Sequence, residues 1–443
     1  MSKLCLGKSG GLPLEVFNNS TLTKTNEDFS VNMFQCLLCG QRVAPDHIAE
    51  HKRVHVDAVG YGILWPPRTE VRQRSFRVPT YEVPKIARAI GVRRVFIRDE
   101  GANPSGSMKD YSVERAIRLG VSAGKRTFTV VSSGNHAYSL CLGVQKVKGR
   151  AIVFTPATSS KIDLLASFPN VLVVGMRDVI FEDVYNLVTI AGLCDSNGIY
   201  NANVDNEDFL PGFSVIADDI LSLPVVPTHI LAGVGNGSYL AGIALGLSWR
   251  TTTIQTKLIP VGMKGAFPTE DAFYQVTPLC KYREFRIPES EIDAAEGSIA
   301  IESYSMPQLM HGLKLTGGFP LGGLTNDDLR QAYLVLGCEK NLMDNGVIPE
   351  PTGIMSLAAA LKWRQQFKPD DVLLLSFTGH GAKDQQGIVR LVPEVAEILV
   401  NSARRSRPDL IEKNGTPRRE NVLYIEKSIT PEELCSCVLK QDI

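Results

Sequence analysis

From about residue 80 to residue 400, short apolar runs rich in β-branched residues alternate with longer stretches that have helical spacing. The runs lie at 95–97, 127–131, 151–155, 171–174, 229–232, 258–261 and 372–377. The longer stretches include 110–123, 238–247 and 352–366. Because parallel strands need long crossover connections, this alternation predicts an α/β fold of parallel sheets with helices on both faces. This number of strands is enough for two sheet lobes with a cleft between them.

Two polar extensions flank this alternating region. We predict an N-terminal segment over 1–65, a two-lobed α/β domain over 66–402, and a charged linker with a C-terminal tail over 403–443. The tail ends in a strand-like piece, VLYIE at 422–426, and a helical stretch at 430–439. A chain of 443 residues is too long for one compact core, which agrees with such a division.

Composition argues against several classes of protein. Lysine plus arginine and aspartate plus glutamate both number 47, whereas a nucleic-acid or anionic-membrane binder would show a basic excess. The chain has no apolar run of about 18 residues, and its first twenty residues lack the apolar core of a secretory signal. The nine cysteines are odd in number, and Cys141 and Cys338 stand alone in apolar surroundings. We therefore expect no disulfide framework and a reducing, cytoplasmic location.

The stretch NPSGSMKD at 103–110 connects the strand at 95–97 to a helix. Asn-Pro, Ser and Gly favour a tight turn, which places Lys109 at the start of the helix. The positive end of the helix opposes protonation of the amine, and imine formation with an aldehyde cofactor requires a deprotonated amine. A solvated lysine at a helix start would explain this stretch equally well.

Three further loops of small residues follow predicted strands: SSGNH at 132–136, GVGNGS at 233–238 and SFTGHGAKD at 376–384. Small residues at the carboxyl ends of parallel strands leave backbone amides available to an anion. Glycines at a helix N-terminus let several amides converge on a phosphate, although GVGNGS matches neither the Walker nor the dinucleotide spacing. Each loop alone is compatible with a plain turn. Together with Lys109, they predict a site for an aldehyde cofactor that carries a phosphate.

The order and wording of these motifs resemble threonine synthase, within the fold type II group of pyridoxal-phosphate enzymes. RDEGANPSGSMKD at 98–110 looks like the lysine motif of that family, and TGHGAKD at 378–384 is similar to its last signature. The resemblance covers roughly residues 80–390. It implies two lobes with the cofactor, pyridoxal 5′-phosphate, in the cleft.

The resemblance also implies roles for individual residues. Lys109 would form the imine with the cofactor, Asn135 would contact the ring hydroxyl, and Thr378 would meet the pyridine nitrogen and leave the ring neutral. The positions of the phosphate loop would be Gly235, Asn236, Gly237, Ser238 and Tyr239. The substrate carboxylate would be held by the second loop, through Ser132, Ser133, Gly134 and His136.

The expected activity is elimination or replacement at the β or γ carbon of an amino acid, in which Lys109 transfers protons at Cα and Cβ. Threonine synthesis from phosphohomoserine and amino-acid dehydration are alternatives within this class. A zinc-finger regulator or scaffold without catalysis is an alternative of another class, and the intact set of Lys109, Asn135 and Thr378 argues against it. We expect a homodimer that binds neither nucleic acid nor membranes.

Departures from the family pattern concern the substrate. Tyr111 follows Asp110 where threonine synthases have arginine, and the Asn-His pair at 135–136 is closer to amino-acid dehydratases. A gapless alignment of 203–216 puts Phe209 and Ser214 at the arginine and the lysine that help bind the substrate phosphate in the family.

Carboxylates crowd the same stretch, at Asp205, Glu207 and Asp208. If they face the cleft, they would repel a phosphate and favour a neutral or cationic substituent. We therefore expect a substrate other than phosphohomoserine. The alternative is that these acids face solvent and that Arg98 or Lys314 supplies the phosphate contact.

A separate Cys/His cluster lies in the N-terminal segment. Cys36 and Cys39 are followed, after eleven residues, by His51 and His55, which is the ligand spacing of a two-Cys two-His zinc finger. His47 lies on the same helical face, and a tetrahedral site needs two of these three histidines. One finger reads about three base pairs, and the chain has no basic excess. We expect structural zinc; the alternatives are no metal and nucleic-acid contact.

Overall fold

The computed structural model describes residues 76–132, 134–159, 161–179, 181–191, 193, 198–204, 206, 208–274, 295–298, 303, 305–412, 418–426 and 428–441. It also describes the backbone of three short strands nearer the N-terminus: β1 (Leu22–Lys24), β2 (Phe34–Cys36) and β3 (Arg42–Val43). These strands form an antiparallel sheet in the order β1-β2-β3.

The first lobe is built on a six-stranded sheet. Its strands are β4 (Thr80–Glu82), β5 (Arg94–Asp99), β10 (His229–Gly233), β11 (Lys257–Met263), β12 (Leu321–Leu324) and β13 (Val372–Phe377). They lie in the order β12-β11-β10-β13-β5-β4, and the pairs are parallel except for β4, which runs antiparallel to β5.

The second lobe is built on a five-stranded parallel sheet. Its strands are β6 (Thr127–Val131), β7 (Arg150–Pro156), β8 (Val171–Met176), β9 (Ile199–Asn201) and β14 (Val422–Ile425). The order is β14-β8-β7-β6-β9. The predicted α/β fold with two parallel-sheet lobes is confirmed.

Helices connect these strands. In chain order they are α1 (Pro84–Ile90), α2 (Asp110–Ser122), α3 (Asn135–Lys146), α4 (Ile162–Ala166), α5 (Phe181–Ile190), α6 (Ile216–Leu221), α7 (Ser238–Arg250), α8 (Pro268–Phe273), α9 (Met306–Thr316), α10 (Asn326–Gly337), α11 (Lys340–Asp344), α12 (Pro351–Lys362), α13 (Gln385–Leu391), α14 (Ala396–Ser406), α15 (Asp409–Glu412) and α16 (Pro431–Leu439). Every residue of β8, β10 and β13 is buried, as expected for parallel strands between helical layers. The sheets therefore form the core, and the connections at their carboxyl ends are available for a site.

The C-terminal tail is part of the second lobe. Strand β14 pairs with β8, and Leu434 and Val438 of α16 are fully buried in the same apolar cluster as Ile425. Thr430 caps α16 in a reciprocal capping box with Glu433. The predicted boundary between 402 and 403 falls inside α14, and the division of the chain into three parts stays a prediction.

The zinc prediction lies almost entirely outside the described residues. Cys39, His51 and His55 are not among them, and only the backbone of Cys36 is described. In the described part of the chain, no group of His, Cys, Asp or Glu residues could hold a metal ion. Within the same part, no helix is both long and apolar enough to span a membrane. Cys141 is a buried free thiol, whereas Cys338, expected in apolar surroundings, is exposed.

Candidate active site

The loops after strands of both sheets meet at a cavity of about 330 Å³. It lies beyond the carboxyl ends of β5, β6, β10 and β13, where open parallel sheets bind their ligands. The predicted site residues that line it are Lys109, Ser132, Gly134, Asn135, His136, Gly235, Asn236, Gly237, Ser238, Tyr239 and Thr378. Ser133 is the one predicted cofactor or substrate residue that lies outside the described residues.

The loop that carries Lys109 is held from two sides. The Asp110 carboxylate accepts a hydrogen bond from the backbone N–H of Ser105 (2.8 Å) and another from the Ser139 hydroxyl. On the other side, the backbone N–H of Met108 donates to the carbonyl of Thr378 (3.0 Å). These bonds fix the lysine loop against the Thr378 loop and place Lys109 directly before α2.

Lys109 is half-buried and lines the cavity. Burial lowers the pKa of Lys109 to about 8, while the nearby carboxylate of Glu350 acts in the opposite direction. The sequence suggested the helix end as the cause of a lowered pKa, whereas burial is the largest cause in the structure. At neutral pH the amine is therefore far closer to its reactive, unprotonated form than an exposed lysine.

Asn135 is held by a buried acid that the sequence analysis missed. Its Nδ2 donates to Oε1 of Glu350 at 2.6 Å, and Glu350 is 5% exposed. A Cβ on Gly379 would lie 2.3 Å from that same Oε1, so glycine is needed there. Asn135 Oδ1 is buried and has no hydrogen-bond partner among the described residues. This acceptor needs a donor, and its position in the cavity fits the hydroxyl of a ligand.

The predicted phosphate loop runs from the end of β10 into α7. Gly237 has φ +79°, and a Cβ there would lie 2.8 Å from Leu309 Cδ2, so only glycine fits. The first amides of α7 have no acceptor within their own helix and lie at the cavity. Backbone geometry and the helix end thus favour an anion here.

Tyr239 contributes its backbone to this loop, whereas its side chain points elsewhere. The hydroxyl donates to Oε1 of Glu100 at 2.9 Å. Glu100 in turn accepts from Nε of Arg98 at 2.6 Å, and Arg98 also donates to the Tyr111 hydroxyl at 2.7 Å. This buried network joins the ends of β5 and α7. It lies behind the cavity, and Arg98 and Glu100 are not among the residues that line it.

The second loop places a neutral histidine and an unforeseen lysine at the cavity. His136 is buried, and burial holds its pKa well below the usual range, with Lys109 acting in the same direction. Its ring lies 4.7 Å from that of Phe209. Lys161 lines the cavity beside the same loop, and a Cβ on Gly134 would lie 3.5 Å from its Nζ.

Two functional candidates were thus missed by the sequence analysis, Lys161 and Glu350. Lys161 follows the carboxyl end of β7, which is the same kind of position as the four loops, and that signal could have found it. Glu350 directly precedes α12 and does not follow a strand. It reaches the site because its backbone N–H donates to the carbonyl of Gly379 (2.9 Å). No local signal in the sequence indicates this pairing.

The two positions aligned with the family's substrate-phosphate contacts are turned inward. Phe209 and Ser214 are fully buried and do not line the cavity, and Ser214 packs its backbone against α7 at Gly246. The carboxylate of Asp208 accepts a hydrogen bond from the Tyr200 hydroxyl. Asp208 is not among the described residues that line the cavity, so the condition under which it would repel a phosphate there is not met; Asp205 and Glu207 lie outside the described residues.

Neither basic residue considered as an alternative phosphate contact reaches the cavity. The side chain of Arg98 is 1% exposed and forms salt bridges with Glu100 and Asp219. Lys314 is exposed on α9. Within the described part of the chain, two lysines and no arginine line the cavity: Lys109 and Lys161.

Two parallel-sheet lobes, with a half-buried lysine of lowered pKa at the cavity beyond their strand ends, define an enzyme architecture built around an aldehyde cofactor. Residues 71–379 match the family described as pyridoxal-phosphate dependent enzyme, and the chain belongs to this family. The fold and the match together account for the lysine loop and the glycine-rich loop at one cavity.

The chain is similar to two archaeal threonine synthases. That of Methanocaldococcus jannaschii is 24% identical over 331 residues, which cover 72% of this chain and 78% of that protein. That of Methanosarcina acetivorans is 24% identical over 354 residues, which cover 77% of this chain and 84% of that protein.

Solved structures show the same fold. The processed form of threonine deaminase isoform 2 from Solanum lycopersicum has a TM-score of 0.55 at 19% identity, covering 72% of this chain and 83% of that chain. Diaminopropionate ammonia lyase from Escherichia coli has a TM-score of 0.56 at 15% identity, covering 72% of this chain and 88% of that chain. At these identities the likeness concerns the fold.

Proposed function

We propose that the protein catalyses a pyridoxal-phosphate-dependent elimination or replacement at the β or γ carbon of an amino acid. The observation that carries this proposal is the meeting of Lys109, Asn135, the 235–239 loop and Thr378 at one cavity. A second observation supports it, because burial brings the pKa of Lys109 down to about 8. A lysine with such a pKa is suited to imine formation and to proton transfer near neutral pH.

The residues present fit pyridoxal phosphate. Lys109 would attach the aldehyde, the amides of 235–239 would hold the phosphate, and Thr378 would face the pyridine nitrogen. Asn135 Oδ1, a buried acceptor without a partner among the described residues, would receive the ring hydroxyl. When bound, the cofactor supplies an electron sink for the charge that forms when Cα loses a proton.

Three residues around the cavity have distinct roles in this reaction. Glu350 fixes the amide of Asn135 through the 2.6 Å hydrogen bond, so the site is organised before a ligand arrives. Lys109, unprotonated, removes a proton at Cα and can return one at Cβ or Cγ. His136 stays neutral, because burial and Lys109 oppose its protonation.

For the substrate, we propose an amino acid without a phosphate group. Ser132, Gly134 and Lys161 lie together at one side of the cavity and suit the α-carboxylate. A second cation would be needed for a phosphate, and the described residues offer none at the cavity wall. Threonine synthesis from phosphohomoserine is the competing function, and the relatives' names favour it. Dehydration of a hydroxy-amino acid is the third, favoured by the Asn135–His136 pair.

Steady-state assays across a substrate panel separate these functions. The panel contains phosphohomoserine, serine, threonine, homoserine and O-acyl or sulfonium amino acids, with products identified by mass spectrometry. We expect kcat/KM for phosphohomoserine to stay below about 10⁴ M⁻¹s⁻¹, the lower end of the ordinary enzyme range. A higher value, with threonine as the product, would show that the protein is a threonine synthase. A 2-oxo acid from serine or threonine would show the dehydratase.

We also propose a structural zinc ion on Cys36, Cys39, His51 and His55. Its support is the ligand spacing in the sequence, since these side chains lie outside the described residues. Metal analysis of the purified protein should give about one equivalent, and Cys36→Ser should remove it. Cys338→Ser, at an exposed free thiol, is the matched control. Less than about half an equivalent in the unmodified protein would reject the site.

Two further proposals concern the setting of the enzyme: it forms a homodimer, and it works in the reducing environment of the cytoplasm. The buried free thiol of Cys141 supports the second. Sedimentation at micromolar concentration tests the first, and a single species of 48.4 kDa would contradict it.

A further inference from the structure

A short C-terminal segment, residues 406–410, lies against the back of the loop that carries Lys109. We call it the clamp. It begins at the end of α14 and lies beyond the residues 71–379 that match the family. Arg407 donates from Nη1 to the carbonyls of Gly101 and Asn103 (3.0 Å to the latter), and from Nη2 to the carbonyl of Pro104 (3.0 Å). One side chain thus binds three backbone carbonyls of a single loop.

The guanidinium of Arg407 is itself held in place. Asp409 accepts from its Nε at 2.9 Å and from its Nη2 at 3.0 Å, a two-point contact that fixes the plane of the group. The side chain of Arg407 is 16% exposed. A mostly buried, doubly anchored charge of this kind gives a rigid set of donors.

Two other residues of the clamp reach the same region. Leu410 is 2% exposed, and a Cβ on Gly106 would lie 2.5 Å from its Cδ1. Ser406 Oγ lies 3.3 Å from Nε2 of His380, and the backbone N–H of His380 donates to the carbonyl of Gly106 (2.9 Å). The clamp therefore touches both the lysine loop and the loop that carries Thr378.

The lysine loop needs such support. Much of it lies outside regular helix and strand, so its backbone carbonyls depend on individual contacts: that of Asn103 accepts from the Gly106 N–H (2.7 Å), and that of Ser105 accepts from Lys383 Nζ (2.6 Å). Arg407 supplies donors to three of them, while Leu410 fills the space beside Gly106. Lys109 lies three residues beyond Gly106, and a shift of the loop would move its amine relative to the cavity.

We propose that Arg407 is a positioning residue for the loop that carries Lys109. It acts with Asp409 and Leu410 as a clamp that keeps this loop in the geometry that receives the cofactor. The proposal rests on the proposed function in one respect, the assignment of Lys109 as the cofactor lysine. It extends the site to a segment outside the family match.

The test compares Arg407→Met with Arg250→Met in the full chain. Arg250 is a matched control because it also makes a two-point contact to a carboxylate, Asp218, and donates to a backbone carbonyl, that of Gly246 (3.1 Å). It lies at the end of α7, away from the lysine loop. Arg407→Lys, which retains the positive charge but lacks the planar set of guanidinium donors, is the conservative variant.

Two readouts are used. The first is the pH dependence of acetylation of Lys109 in the cofactor-free protein, followed by peptide mass spectrometry. Lys109 faces two titratable groups, Glu350 and His136, and the variants leave both unchanged. Arg407→Met should let water reach the amine and raise its apparent pKa by about one unit or more. Arg250→Met should leave it unchanged, with Arg407→Lys in between.

The second readout is the dissociation constant of pyridoxal phosphate, which we expect to rise at least tenfold in Arg407→Met and less than twofold in Arg250→Met. The proposal is overturned if Arg407→Met matches the unmodified protein, or Arg250→Met, in both readouts. If Arg407→Met fails to fold, Asp409→Asn, which releases the guanidinium, is judged by the same two criteria. Failure of the unmodified protein to bind the cofactor would reject the proposed function, while the acetylation readout would still decide on the clamp.

Discussion

The four strand-end loops and the segment 203–216 differ in how they relate to the cavity. Described residues from all four loops line it, among them Lys109, Asn135, Gly235 and Thr378. In the segment, Val204 lines it, whereas Phe209, Phe213 and Ser214 are fully buried in the core. One region offers polar groups to a ligand, and the other offers apolar packing to the protein.

This difference shows what determines each region. A loop that follows a parallel strand must leave the sheet at its carboxyl edge, so topology alone brings such loops together. The segment 203–216 contains a 3-10 helix, Leu210–Val215, and its orientation is set by packing against α7 and α2. A matching position in an alignment therefore does not show which way its side chain points.

The largest expected effect comes from removing the lysine of the four strand-end loops. Lys109→Met should lower turnover by about 10⁴-fold or more, because both covalent attachment and proton transfer are lost. Lys264→Met is the control, since Lys264 also follows a strand, β11, and is exposed. Assays on the best substrate of the panel decide; near-normal turnover in Lys109→Met would contradict the assignment.

A smaller effect concerns stability and pH. Folding lowers the pKa of Lys109 from 10.5 to about 8, so between these values the unfolded chain binds more protons than the folded one. The folded state is therefore penalised below pH 8, and the penalty fades as pH rises toward 10.5. Cofactor-free Lys109→Met should be more stable than the unmodified protein at pH 7, by on the order of 2 kcal/mol.

This stability gain should shrink as the pH rises from 8 to 10. Urea unfolding at several pH values measures it. A gain that does not change over this range would show that the methionine packs better, and that the amine of Lys109 is not the source of the penalty.

The smallest expected effect concerns the segment 203–216. Phe209 and Phe213 are both fully buried and lie 5.8 Å apart, but only the Phe209 ring is 4.7 Å from His136 and 5.7 Å from Lys109 Nζ. Phe209→Leu and Phe213→Leu should each cost about 1 kcal/mol of unfolding free energy. Only Phe209→Leu should change kcat/KM, by about tenfold. Equal kinetic effects of the two variants would show that Phe209 acts through packing alone.

Much of the fold could be predicted from the sequence because buried parallel strands leave continuous apolar runs. The runs at 127–131 and 372–377 coincide with β6 and β13. Strand β9 has three residues, and β12 has the sequence LGGL, so neither leaves a periodic signal. Glu350 was missed because its place depends on a contact with Gly379, nearly thirty residues away in the chain, and contacts of that kind have no local pattern.

The central claim is that Lys109 attaches the cofactor, and a second lysine, Lys383, is the alternative candidate for this role. Burial lowers the pKa of Lys383 to about 7, and Lys383 Nζ donates to the carbonyl of Ser105 at 2.6 Å. Lys383 does not line the cavity, whereas Lys109 does. The most direct test is borohydride reduction of the protein loaded with pyridoxal phosphate, followed by peptide mass spectrometry. We predict a pyridoxyl group on the peptide that contains Lys109; a pyridoxyl group on Lys383 or another lysine, or on none, would contradict the central claim.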